Sequence, residues 1–114
     1  MMSVVLYHNP KCSTSRNALA LLREQGVEPT VVEYLKTGWD RETLERLASR
    51  TGLGLSGLLR RKEADAKALL NTGADDEAVL AAAIAQPILI ERPIVETDKG
   101  AVIGRPVERV LEVL

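Results

Sequence analysis

Phenylalanine is absent from this chain, and its aromatics are Trp39, Tyr7 and Tyr34 alone, so a core drawn from its 46% hydrophobic residues must be aliphatic. Cysteine occurs once, as Cys12. That excludes an internal disulfide and favours a reducing compartment. Histidine also occurs once, as His8. One Cys and one His cannot supply a zinc site, so no metal is expected. Neither sign of charge dominates: 15 Lys and Arg stand against 16 Asp and Glu, a formal net charge of -1. This gives no global electrostatic drive toward nucleic acid or an anionic membrane. No run approaches the roughly 18 uninterrupted apolar residues of a membrane span, and the start of the chain lacks the basic, apolar and small-residue succession of a secretion signal. A cytoplasmic protein is expected.

The 114 residues suit one domain spanning 1–114. Val4 to Tyr7 reads as a buried strand running into a loop at Asn9-Pro10, and the loop carries His8 and Cys12. From about Ser13 to Gln25 the pattern is helical: Ala18, Leu19 and Leu22 meet at helical spacing, and Gly26 stands at the C-terminal cap. Thr30 to Leu35 is β-branched and reads as a second strand, which completes a right-handed βαβ unit with parallel strands. From about 40 to 86 helices take over. Asp40 caps one that Gly52 ends, Leu55 to Arg60 forms a short one, and Asp75 or Asp76 caps another reaching about Gln86. Residues 62–75 carry no clear signal. After Pro87, the segments Pro93 to Glu96 and Ala101 to Gly104 flank a turn at Asp98-Lys99-Gly100 and read as a hairpin. Pro106 opens a last helix. The order β-α-β, helices, β-β-α is that of an α/β thioredoxin-like fold, with a mixed four-stranded sheet and a helical insertion at about 40–86.

Cys12 is the candidate nucleophile. It sits at the first turn of a helix, whose unpaired N–H groups and dipole favour a thiolate; Arg16 lies one turn on and His8 four residues before. A free cysteine is often a small buried hydrophobe, but the neighbours Pro10, Lys11, Ser13, Thr14, Ser15 and Arg16 make a polar loop. Ser15 stands where a Cys-x-x-Cys protein keeps its resolving thiol. Its hydroxyl could donate to the Cys12 sulfur or to an anion, or could be an ordinary first-turn serine. His8 could act beside Cys12 or be a plain strand-end imidazole. Without a second thiol, any oxidised form of Cys12 needs a partner from another molecule. Arg92 before Pro93 and Arg105 before Pro106 stand at element starts and suit an oxyanion, which needs several fixed donors. The likeness to a thioredoxin-like fold implies that Pro93 is cis and brings Arg92 toward Cys12. For Arg60 the residues alone say less.

His8-Asn9-Pro10-Lys11-Cys12-Ser13-Thr14-Ser15-Arg16-Asn17, Leu58-Leu59-Arg60-Arg61, Glu91-Arg92-Pro93-Ile94-Val95 and Gly104-Arg105-Pro106 together closely resemble the ArsC family of glutaredoxin-coupled arsenate reductases. The resemblance runs through essentially the whole chain. It implies Cys12 as nucleophile toward arsenate, His8, Ser15 and Arg16 as its supporting loop, and Arg60, Arg92 and Arg105 as the oxyanion-binding set. It also implies glutathione as co-substrate, glutaredoxin as protein partner and no tightly bound cofactor. Two other readings share the fold: an Spx-like redox regulator that binds a protein partner, and a glutathione-dependent thiol transferase with another substrate. Against the regulator, its sensor normally uses a Cys-x-x-Cys pair, and here the second position is Ser15.

Overall fold

The computed structural model describes residues 3–114 and divides into two compact units, residues 3–37 with 92–114 and residues 38–91. The first unit holds strands β1 (Val4–Tyr7), β2 (Thr30–Val32), β3 (Ile94–Thr97) and β4 (Gly100–Ile103), with helices α1 (Ser13–Glu24) and α2 (Tyr34–Thr37). The sheet order is β2-β1-β3-β4; β1 and β2 are parallel, while β3 pairs antiparallel with both β1 and β4. This is the mixed four-stranded α/β sheet expected from the element order.

Strand alternation and helical period fix how α1 meets the sheet. Val4 and Leu6 of β1, Val95 of β3 and Val102 of β4 share a buried cluster with Ala18 and Leu22 of α1. Ser15 is also fully buried. Ser15, Ala18 and Leu22 are spaced i, i+3 and i+7 and form one face of α1, so the apolar stripe begins with a hydroxyl at the Cys12 end. Full burial of a residue such as Leu22 contributes roughly 1.5–3 kcal/mol. Val110 and Val113 of the terminal 3-10 helix (Val107–Val113) close the same cluster.

The second strand is shorter than its composition suggested. It stops at Val32, whose carbonyl accepts from His8 N–H at 2.8 Å. Lys36 N–H and Thr37 N–H then donate to Glu33 O, closing the turn of α2 and enclosing Tyr34 completely. Tertiary burial of the Tyr34 ring overrides the strand preference of Tyr34 and Leu35.

The second unit is helical: α3 (Arg41–Thr51), α4 (Gly54–Gly57), α5 (Ala64–Asn71) and α6 (Asp76–Ala85), followed by a 3-10 turn at Pro87–Leu89. Asp40 accepts from Thr43 N–H at 2.7 Å and Asp75 from Ala78 N–H at 2.9 Å, the two side-chain caps that start α3 and α6. Gly52 ends α3 at φ 73°, a left-handed position suited to glycine. The short helix ends at Gly57 rather than Arg60, because Leu59 forms an antiparallel bridge to Ile90. Arg60 N–H donates to Leu89 O at 2.7 Å and Glu91 N–H to Leu58 O at 2.8 Å, which sets Arg60 beside Glu91. Helix α5 occupies the stretch that carried no sequence signal. No helix among the described residues is long and apolar enough to cross a membrane.

Candidate active site

The loop after β1 is held from both ends. Asn9 Oδ1 accepts from Lys11 N–H at 3.0 Å, Cys12 N–H donates to Asn9 O at 3.0 Å, and Arg16 Nη1 donates to Pro10 O at 2.9 Å. His8 continues the alternation of β1 and falls on the side of Leu6, where it meets α1. Its Nδ1 lies 2.6 Å from Ser15 Oγ, which also accepts from Asn9 N–H at 3.1 Å. Burial holds the His8 pKa below the ordinary imidazole value against the nearby Glu33 carboxylate, with Arg16 lowering it further. His8 is therefore neutral at pH 7, and the arrangement suits a Ser15 hydroxyl that donates to an unprotonated Nδ1.

Cys12 is the N-cap of α1 and partly exposed. Its side chain makes no capping hydrogen bond of ordinary geometry, yet the Ser15 backbone N–H favours the charged sulfur. Burial is the largest single influence and pushes the thiol up; the Ser15 N–H, the Arg92 side chain as donor, and the charges of Arg105 and Arg92 together outweigh it, so the pKa falls below the ordinary thiol value. Arg105 Nη2 stands 3.4 Å from Sγ, and Arg105 Nε donates to Arg92 O at 2.7 Å. Both arginines precede cis peptide bonds, Arg92–Pro93 and Arg105–Pro106. They sit at the same end of the β3–β4 hairpin, where Ile94 pairs with Ile103.

The structure thus brings Cys12, Arg92 and Arg105 together. His8 and Arg16 belong to the loop expected to support the thiolate. They brace the loop through Ser15 and Pro10. The Ser15 hydroxyl turns to His8 and Asn9, and its backbone N–H serves the sulfur. Arg60 belongs to the second unit, where Nη1 pairs with Glu91 at 2.7 Å and Nε lies 3.9 Å from Glu63. Among the described residues no group of three or more His, Cys, Asp or Glu could hold a metal ion. Asn9 was not singled out in the sequence, although the side-chain turn that Asn forms before Pro is a recognisable signal.

A lowered-pKa thiol at a helix start, with two guanidinium groups converging on it, can attack an electrophilic centre whose oxygens those guanidiniums hold. On this sheet it defines the class of thioredoxin-like thiol proteins. Within that class the chain belongs to the ArsC family, which matches residues 7–113. It is 44% identical over 115 residues to an arsenate reductase of Rhizobium meliloti (strain 1021), covering 99% of this chain and 82% of the relative. It is 45% identical over 114 residues to uncharacterized protein YfgD of Escherichia coli (strain K12), covering 97% and 96%. Among solved structures, an arsenate reductase from Vibrio cholerae superposes with a TM-score of 0.91 at 50% identity over 99% of this chain and 98% of that one.

Proposed function

We propose that the protein is a cytoplasmic arsenate reductase that draws its electrons from glutathione and glutaredoxin. The observation that carries this reading is the Cys12 sulfur within 3.4 Å of Arg105 Nη2, its thiolate favoured by Arg92 and by the start of α1. The arsenate reductases among its relatives support the substrate.

The chemistry follows from the residues. Cys12 Sγ attacks arsenic, an As–S bond forms, and one oxygen leaves as water while Arg92 and Arg105 hold the others. We assign Arg60 the third contact on the family resemblance. Reduction of arsenate to arsenite takes two electrons, which two thiols supply by becoming one disulfide. Cys12 has no second cysteine in the chain. Glutathione therefore displaces a second oxygen from arsenic as water, forming another As–S bond; a glutaredoxin thiolate then attacks the glutathione sulfur, that S–As bond breaks with its electron pair left on arsenic, and the mixed disulfide departs. Hydrolysis then releases arsenite and restores Cys12.

The test is NADPH consumption with arsenate, glutathione, glutathione reductase and glutaredoxin. Turnover should vanish in Cys12→Ser and on omission of either thiol donor. Undiminished turnover in Cys12→Ser, or no turnover by a folded wild type, would overturn the assignment.

A further inference from the structure

A cavity of about 200 Å³ adjoins the Cys12 loop, lined by Asn9, Pro10, Lys11, Glu33, Leu35 and Lys36. These residues come from two neighbouring segments, the loop after β1 and the turn after β2. In the sheet order, β2 flanks β1 on one side and β3 on the other. The cavity is therefore built from the β2 side of the loop, while Arg92 and Arg105 approach from the β3–β4 side. Sites that enclose a drug-sized ligand begin near about 300 Å³. This one suits part of a small flexible molecule lying across the surface.

Its charges are specific. Lys36 Nζ and Glu33 Oε1 form a pair 3.4 Å apart, with the Lys36 side chain 77% exposed. Lys11 supplies a second exposed ammonium directly before Cys12. Two cations and one anion beside an apolar floor of Pro10 and Leu35 are the complement of a molecule with two carboxylates and one ammonium. Glutathione carries that set at neutral pH: a carboxylate and an ammonium on one carbon of its γ-glutamyl end, and a lone carboxylate on its glycine.

We infer that this cavity is the glutathione site, with the γ-glutamyl end on the Lys36–Glu33 pair and the glycine carboxylate on Lys11. The inference rests on the reductase reading for its role but can be read out separately. Opposite charges meeting in the same order fix direction as well as affinity, and the cysteinyl thiol lies between the two ends of the tripeptide.

The test titrates ¹⁵N-labelled wild type with S-methylglutathione, which binds without reacting. Backbone shifts should concentrate at residues 9–11 and 33–36; binding that shifts other residues, or no binding, overturns the site. In turnover, Lys36→Ala and Lys11→Ala should each raise the KM for glutathione by about fivefold, the upper range for an exposed ion pair, with KM for arsenate unchanged. Unchanged KM for glutathione in both also overturns it. Orientation is checked with glutathione amidated at glycine. Wild type should bind it more weakly than glutathione, and Lys11→Ala should bind the two equally. If arsenate is not turned over at all while S-methylglutathione still maps to these residues, the reductase reading fails and the site stands.

Discussion

Replacing Arg105 by glutamine removes the guanidinium that stands 3.4 Å from Cys12 Sγ. Coulomb's law across that distance gives about 1.2 kcal/mol in the dielectric of water and about 5 kcal/mol at an effective constant near 20. Cys12 is partly exposed, so the lower figure applies. Loss of that attraction raises the thiol pKa. The sign is that of any lost cation beside a developing anion: the thiolate becomes harder to form. Arg105→Lys keeps the charge without the fork and should shift the titration by less. Thiolate absorbance near 240 nm, or the pH dependence of iodoacetamide alkylation, reads the shift directly in the folded protein. An Arg105→Gln titration that coincides with wild type would refute the electrostatic account of Cys12.

Two further outcomes are expected. The folded pKa of His8 is lowered, so its contribution to stability is fully present above the unfolded imidazole value of about 6.5 and is lost as pH falls through the folded pKa. Urea unfolding should show wild type losing more stability between pH 7.5 and 5 than His8→Gln does; equal losses would remove His8 from the balance. A Cβ at Gly104 would lie 2.9 Å from Val110 Cγ1 and 3.1 Å from Pro93 Cγ. Gly104→Ala should therefore cost about 1–3 kcal/mol in the same assay, and an unchanged midpoint would mean that the neighbours yield freely.

Much of this architecture is legible in the sequence, because β1, α1 and the hairpin carry strong local signals. Val4 to Tyr7 is bounded by Asn9-Pro10, α1 by Gly26, and the turn at Asp98-Lys99 separates two short apolar runs. The Arg-Pro steps pointed to Arg92 and Arg105 because proline fixes where a strand or helix begins. What was hidden depended on contacts distant in sequence. The turn at Tyr34 exists because that ring is enclosed. The eight residues of α5 are too few to show a clear period. Ser15 could have been placed by extending the Ala18 and Leu22 face one turn back, which puts its hydroxyl inward and Arg16 about 100° away toward solvent. His8 follows from the same logic on the strand, two residues beyond Leu6.

The hairpin that carries Arg92 and Arg105 makes them a single mechanical part. Ile94 faces Ile103, Thr97 faces Gly100, and Arg105 Nε is tied to Arg92 O. As long as that register holds, the backbone positions from which the two guanidiniums project stay fixed relative to one another. A slip of one residue would turn every side chain of a strand to the opposite face. The turn at Asp98-Lys99 lies at the far end of four paired positions, about 13 Å of strand. Its length therefore sets the register from which both guanidinium groups project, and removing one residue there should raise the Cys12 pKa without substituting any group near the sulfur.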